Sequence, residues 1–195
     1  MLSLRSVTVS VTAVLVVILS GCALSPQLVS IKPDLRVPVA SYGNQRDVNV
    51  RVEDHRSNSV IGTRGGIYGQ TSTIEIGNNA NTEIAYSVAA ALTRWGFRST
   101  VDGYRGHALE FGVAVEKLSY QHDRSVAGTL QVDAEVSIVV ESGGATYRGK
   151  YAASKELGYA TAPSEEKNSE AINEVMSLAL EKIFADKGLI AFLQQ

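Results

Sequence analysis

The sequence is poor in the residues that build covalent and metal-bound frameworks. One cysteine among 195 residues excludes a disulfide framework and every cysteine-rich metal site. The three histidines, His55, His107 and His122, lie far apart, and none has another histidine or cysteine at the spacing of metal ligands, so we predict no metal site. Neither charge dominates, because 18 Lys and Arg residues stand against 20 Asp and Glu residues. This near-neutral balance argues against nucleic acid as the main partner.

The N-terminus carries the pattern of a secretory signal. Arg5 precedes an apolar run over residues 7–19, which is followed by the small residues Ser20 and Gly21. As a helix, this run of 13 residues reaches about 20 Å, whereas the hydrocarbon core of a bilayer is about 30 Å thick. We therefore predict that residues 1–21 form a signal peptide rather than a membrane-spanning anchor.

The segment Leu19-Ser20-Gly21-Cys22 resembles a bacterial lipobox, the cleavage and lipidation motif of lipoprotein precursors. The resemblance implies that the chain is cut before Cys22, that its Sγ atom carries diacylglycerol, and that the new amino group takes a further acyl chain. Two or three acyl chains anchor a protein stably in a membrane, whereas one chain binds only marginally. Ala23 follows the cysteine, which is similar to the sorting pattern of outer-membrane lipoproteins. The alternatives are an ordinary secretory signal with a chance cysteine, and an uncut membrane anchor.

Residues 22–46 are predicted to form the lipidated cysteine and a tether marked by proline. Three of the four prolines, Pro26, Pro33 and Pro38, fall in this stretch, and proline removes backbone donors and favours extended backbone. Apolar residues also alternate between Val29 and Val39. The alternative to a free tether is therefore an edge strand that lies along the domain.

The remaining residues, 47–195, are predicted to form a single α+β periplasmic domain. Apolar and polar residues alternate over 48–52, 109–116 and 129–140, as in strands with one buried face. A short strand at 73–76 is also expected. The pair Gly143-Gly144 predicts a hairpin turn, and counting outward from it opposes Val140 with Tyr147 and Val136 with Tyr151.

Two amphipathic helices complete the domain. Residues 82–97 carry apolar side chains on one stripe, with Asn81 as the predicted N-cap and Gly96 as the terminator. Residues 165–186 repeat the pattern after Ser164, and Gly188 is expected to stop that helix. The predicted fold is a two-layer α+β domain, in which an antiparallel sheet of about four to five strands packs both helices on one face.

Glycine is concentrated in residues 62–69, which we single out as a possible site of contact with a ligand or partner. Backbone N–H groups of glycines can converge on an anion, and Arg64 could hold a carboxylate or phosphate, so the candidate residues are Arg64, Gly65, Gly66 and Tyr68. The segment is not a P-loop, because no Gly-Lys-Ser/Thr follows. The alternative is a surface loop rich in turns, whose Arg64 and Tyr68 pack locally.

No catalytic constellation is apparent in the sequence. Asp54 and His55 are adjacent, which in a strand or turn points their side chains apart. Asp133 and Glu135 share one face of a strand, but the opposing strand is basic, which favours salt bridges over an acid–base pair. Three tyrosines, Tyr147, Tyr151 and Tyr159, are expected to pack on the sheet rather than to stack on sugar. We predict no catalytic residue and no cofactor other than the covalent lipid on Cys22.

Two internal segments are similar to the YajG family of outer-membrane lipoproteins. They are Gly62-Thr63-Arg64-Gly65-Gly66-Ile67-Tyr68 and Tyr147-Arg148-Gly149-Lys150-Tyr151-Ala152-Ala153-Ser154, and the lipobox and the closing residues 189–195 are similar too. The resemblance implies a lipidated envelope protein with no established enzymatic activity. It carries over no functional residue beyond Cys22.

The leading hypothesis is a non-enzymatic lipoprotein, anchored in the outer membrane and facing the periplasm, which binds an envelope protein or a peptidoglycan component. An accessory in lipid or glycolipid handling is the first alternative, and it requires an apolar groove between the sheet and the helices. A peptidoglycan hydrolase is the second.

Overall fold

The computed structural model describes residues 26–64, 71–103, 109–122, 128–159 and 163–195. Within them, one mixed sheet carries helices on its apolar face. The strands are β1 (Gln27–Val29), β2 (Asp47–Asp54), β3 (Val60–Thr63), β4 (Thr73–Ile76), β5 (Arg98–Val101), β6 (Leu109–His122), β7 (Gly128–Ser142) and β8 (Ala145–Tyr159). The helices are α1 (Ala80–Arg94), α2 (Glu165–Phe184) and α3 (Lys187–Leu193).

Strand β6 lies at the centre of the sheet. Along one edge it pairs antiparallel with β7, and β8 continues the sheet antiparallel beyond β7. Its other edge is shared by two parallel partners, because β2 pairs between Leu109 and Val115, whereas β3 pairs at Tyr120 and Gln121. β5 adds to β2, and β4 and then β1 extend the sheet beyond β3. The sheet therefore forks on β6 into a β2–β5 branch and a β3–β4–β1 branch.

The predicted α+β class is confirmed, but the predicted sheet is wrong in size and partly wrong in direction. The described residues form eight strands rather than four to five, and β1–β4, β2–β5, β2–β6 and β3–β6 are parallel pairs. The short strand expected at 73–76 is β4. The strands β1, β3 and β5 have only three or four residues each, so they contain too few positions to show an alternating pattern.

The β7–β8 hairpin forms in the predicted register. Val140 faces Tyr147 and Val136 faces Tyr151 across the two strands. Gly143 and Gly144 have positive φ angles of 56° and 83°, as a two-residue turn between twisted strands requires. The local turn thus fixes which side chains of the hairpin reach the core.

A β-bulge in β6 keeps its apolar residues on the core face. The register against β7 shifts between Val115 and Lys117, so Glu116 is the extra residue. After the bulge, Leu118 and Tyr120 are buried like the apolar residues before it. Without the extra residue, strict alternation would direct these two side chains away from the core.

The helix ends differ slightly from the prediction. The N-cap of α1 is Asn79 rather than Asn81, since the Oδ1 atom of Asn79 accepts from the backbone N–H of Thr82. Ser164 caps α2 as expected. The predicted stop at Gly188 is wrong, because α2 ends at Phe184 and Gly188 lies inside the short helix α3.

Much of the predicted tether belongs to the folded domain. Residues 31–37, which we call the strap segment, lie against both long helices, and Ile31, Leu35 and Val37 are buried. Burying each of these side chains contributes about 1.5–3 kcal/mol. The expectation of a free tether is therefore corrected from Gln27 onward, and the alternating apolar pattern is the feature that indicates the observed packing.

The strap segment fits α2 because the rise of its extended backbone matches the rise of the helix. The backbone N–H groups of Lys32, Asp34 and Arg36 donate to side-chain oxygens of α2 at 2.6, 3.0 and 2.6 Å. Those acceptors are Asn173, Ser177 and Glu181. Two residues of extended chain advance about 6.6 Å, and four residues of helix advance about 6.0 Å, so donors and acceptors stay matched over the two steps between the three bonds. On the other side, α1 supplies donors to the carbonyl oxygens of the strap segment at 2.8 Å.

Candidate functional site

Of the predicted contact site, only Arg64 lies in the described residues; Gly65, Gly66 and Tyr68 lie outside them. The backbone N–H of Arg64 donates to the carbonyl oxygen of Ser72 at 2.9 Å, directly after the end of β3. This bond and the β3–β4 pairing place Arg64 beside Ser72.

Several strand ends meet at one end of the sheet, which we call the anchor end. It is formed by Gln27, Arg64, His122, Gly128 and Tyr159. The register of the strands places them together through the terminal pairs Gln27–Ile74, Thr63–Thr73, His122–Leu130 and Gly128–Tyr159. The chain enters the domain at the same end, at Gln27, soon after the predicted lipidation site Cys22, which lies outside the described residues.

A buried hydrogen-bond network fixes the chain where it enters the domain. The hydroxyl of Tyr120 donates to Oδ1 of Asn168 at 2.8 Å, and Nδ2 of Asn168 donates to Oε1 of Gln27 at 2.8 Å. Asn168 is fully buried, and an unpaired amide there would cost about 1–3 kcal/mol. Burial also raises the pKa of Tyr120, and the nearby positive charge of Arg64 opposes that rise. The network joins β1, β6 and α2.

An open cavity of about 330 Å³ lies near the fork of the sheet, between the residues after β2 and the start of α1. Arg56 lines it with a side chain that is only 10% exposed and donates twice to Asp54, at 2.8 and 2.6 Å. Burial favours the protonated form of Asp54, but the hydrogen bonds from Arg56 lower the pKa of this carboxyl below its ordinary value. The carboxylate thus serves to hold Arg56.

His55 does not form a pair with Asp54. Its ring nitrogens lie 3.3 Å from carboxylate oxygens of Glu53 and Glu116. The hydrogen bond to Glu53 is the largest cause of a raised His55 pKa, because it stabilises the protonated ring. The arrangement is an exposed charge cluster rather than a base held by an orienting acid.

Asp133 and Glu135 also form separate interactions. Asp133 accepts hydrogen bonds from Lys117, Ser119, Gln131 and Ser154 at 2.7–3.2 Å. Although burial opposes the change, the hydrogen bonds from Gln131, Ser154 and Lys117 and the positive charge of Lys117 lower the pKa of Asp133 to about 2. Nζ of Lys150 lies 2.8 Å from Oε1 of Glu135, as predicted for a cross-strand salt bridge.

Two tyrosines of β8 hold the C-terminal helix. The hydroxyls of Tyr147 and Tyr151 both donate to Oδ2 of Asp186 at 2.6 Å. Asp186 also caps α3 through the backbone N–H groups of Gly188 and Leu189. The tyrosines therefore have a structural role, and the sequence signal for it was their common position on the apolar face of the hairpin.

The comparison with protein families matches residues 33–194 of the chain to Lipoprotein_16, described as an uncharacterised lipoprotein family. The chain belongs to this family. The expected membership of an uncharacterised bacterial lipoprotein family is thereby confirmed. No curated protein matches the chain.

The comparison with solved structures finds matches of low sequence identity to this lipoprotein. Protein XCC0632 from Xanthomonas campestris is 11% identical, with a TM-score of 0.49 over 86% of this chain and 93% of that one. A minor lipoprotein from Acinetobacter baumannii is 7% identical, with a TM-score of 0.35 over 80% and 93% of the two chains. Lipoprotein GNA1162 from Neisseria meningitidis is 12% identical, with a TM-score of 0.36 over 72% and 99%.

The described ranges were also compared with the requirements of a metal site and of a membrane-spanning helix. In the described ranges, no group of three or more His, Cys, Asp or Glu side chains is placed to hold a metal ion. No helix in the same ranges is long and apolar enough to cross a bilayer.

The sequence did not predict the cavity at the fork, nor that the strand ends of the anchor end lie together. Both depend on pairings between distant residues. Strand β3 pairs with β6 some 58 residues later, between Gly62 and Tyr120. Alternation within one segment contains no information about such a partner.

Proposed function

We propose that this protein is a non-enzymatic lipoprotein, attached through lipid on Cys22 to the outer membrane and facing the periplasm. There its domain binds an envelope protein or a cell-wall component. Membership of a lipoprotein family and the lipobox-like segment support the anchor.

One observation supports a non-enzymatic role: the side chains that could act as catalytic acids or bases are already bound by neighbouring side chains. Asp54 is held by Arg56, His55 lies between two glutamates, and Asp133 accepts four hydrogen bonds. A general acid or base needs a free path to the reacting atom and a partner that orients it. Each of these side chains is instead engaged by neighbouring polar side chains.

The alternative in lipid or glycolipid handling has no observation in its favour. It requires an apolar groove between sheet and helices. Within the described residues, the strap segment occupies the space between the two long helices. Three surface cavities of these residues are lined mainly by polar residues.

In-cell photocrosslinking tests the proposal. A photoreactive amino acid replaces Arg148 on the exposed sheet face or Arg64 at the anchor end, in the full-length chain. We expect adducts of defined mass that contain an envelope protein or peptidoglycan. Recovery of the uncrosslinked chain alone from both positions would contradict a binding role. Mass spectrometry of the membrane fraction tests the anchor separately, because residues 1–21 should be absent and acyl mass present on Cys22.

A further inference from the structure

We infer that the anchor end of the domain faces the phospholipid surface, and that the Gly143–Gly144 turn of the β7–β8 hairpin points away from it. The inference rests on the proposed lipid attachment at Cys22. It adds an orientation and identifies which end of the protein is available to partners remote from the membrane.

The first argument is the length of chain between the lipid and the domain. Four residue steps separate Cys22 from Pro26, and they span at most about 14 Å even when fully extended. Strand β7 has 15 residues, so the hairpin extends about 46 Å from the anchor end to its turn. The connection is therefore much shorter than the domain, and the domain must lie against or directly above the membrane.

The second argument is the direction of the entering chain. β1 is an edge strand that runs parallel to β4, starting at the anchor end with Gln27 beside Ile74. From Gln27 onward the chain runs away from this end of the sheet. The described domain therefore begins at the anchor end, five residues after Cys22 in the sequence.

The third argument is that the entry point is held firmly. Gln27 takes part in the buried network with Asn168 and Tyr120, and the strap segment that follows is bound to both helices. Because Gln27 and the strap segment are bound to the domain, they do not lengthen the connection to Cys22. Charge does not determine the orientation, because Arg64 lies at the anchor end while Glu165 and Glu166 lie in the first turn of α2 nearby.

Energy transfer to the membrane measures this orientation. The lipidated protein is placed in vesicles of phosphatidylethanolamine and phosphatidylglycerol that contain an acceptor-labelled lipid. Because Cys22 is the only cysteine, a donor dye can be attached to one introduced cysteine, in Gln121→Cys near the anchor end or Ala145→Cys at the hairpin turn. Both positions are exposed, and they lie about 36 Å apart along the sheet.

With a dye pair whose transfer distance is shorter than this separation, we expect several-fold more efficient transfer from the Gln121→Cys donor. Equal transfer from the two donors, or more from Ala145→Cys, would overturn the inference. A flexible Gly/Ser insertion of about 20 residues between residues 25 and 26 should reduce the difference between the donors. An unchanged difference in that variant would refute the short connection as its cause.

A flotation assay separates this inference from the proposed anchor. If the wild-type protein floats with vesicles and the Cys22→Ser variant does not, the lipid anchor holds, and the donor comparison then decides the orientation. If neither protein or both proteins float, the proposed anchor through Cys22 has failed, and the inference fails with it.

Discussion

Replacing Ile31 by alanine is the most direct test of whether the segment after the anchor belongs to the fold. Ile31 is fully buried in the strap segment, and its backbone N–H donates to Oδ1 of Asn78 at 2.9 Å. The substitution keeps this bond but removes most of a buried side chain. Such changes cost about 2–5 kcal/mol, because apolar burial is lost and a cavity remains. For a domain of this size, each kcal/mol lowers the melting temperature by about 2–4 °C.

Urea unfolding of the mature chain with Cys22→Ser measures the effect without lipid. Val39→Ala is the matched control, because Val39 belongs to the same predicted tether and is 84% exposed. We expect a change within about 0.5 kcal/mol for Val39→Ala and a large loss for Ile31→Ala. If both variants unfold at the wild-type midpoint, the strap segment does not pack on the helices.

Three further results are expected from unfolding experiments on the same protein. Asn168→Ala should cost about 1–3 kcal/mol, since the buried hydroxyl of Tyr120 loses its acceptor; a neutral effect would contradict the network at the anchor end. Asp186→Ala should cost about 2–4 kcal/mol, because two tyrosine hydroxyls and the N-cap of α3 lose their acceptor, and Lys187→Ala is its control. The folded-state pKa of Asp133 is about 2 against an ordinary 3.8, so its stabilisation is complete well above pH 4 and is lost as pH falls toward 2. Asp133→Asn should flatten the acid side of the stability–pH curve, and an unchanged slope would refute the assignment.

The parts of the fold that depend on neighbouring residues could be predicted from the sequence. The β7–β8 register follows from the Gly143–Gly144 turn and from alternation on both sides of it, so the positions of Tyr147 and Tyr151 were correct. The long helix α2 follows from its periodic apolar residues and the Ser164 cap. In each case the determining contacts lie within a few residues of one another.

The parts that depend on distant partners could not be predicted. The backbone of residues 31–37 pairs with polar side chains of α2 more than 140 positions away, at Asn173, Ser177 and Glu181. These three side chains look like ordinary residues on an exposed helix face until the strap segment is placed beside them. Proline in the same stretch is typical of a tether, yet Pro33 is buried. The strap segment tolerates proline there because its bonds to α2 use the backbone N–H groups of residues 32, 34 and 36, and proline has no N–H to leave unpaired.

The fold also links two features that the sequence presents separately, the lipobox-like segment and the glycine-rich segment. Both β1 and β3 border β4, so the entry of the chain at Gln27 and the residue Arg64 lie at the same end of the sheet. With the proposed anchor at Cys22, any partner that contacts Arg64 must approach close to the membrane surface. A partner held in the cell wall would instead meet the other end of the domain, near the Gly143–Gly144 turn. The two crosslinking positions, Arg64 and Arg148, are therefore expected to capture different partners.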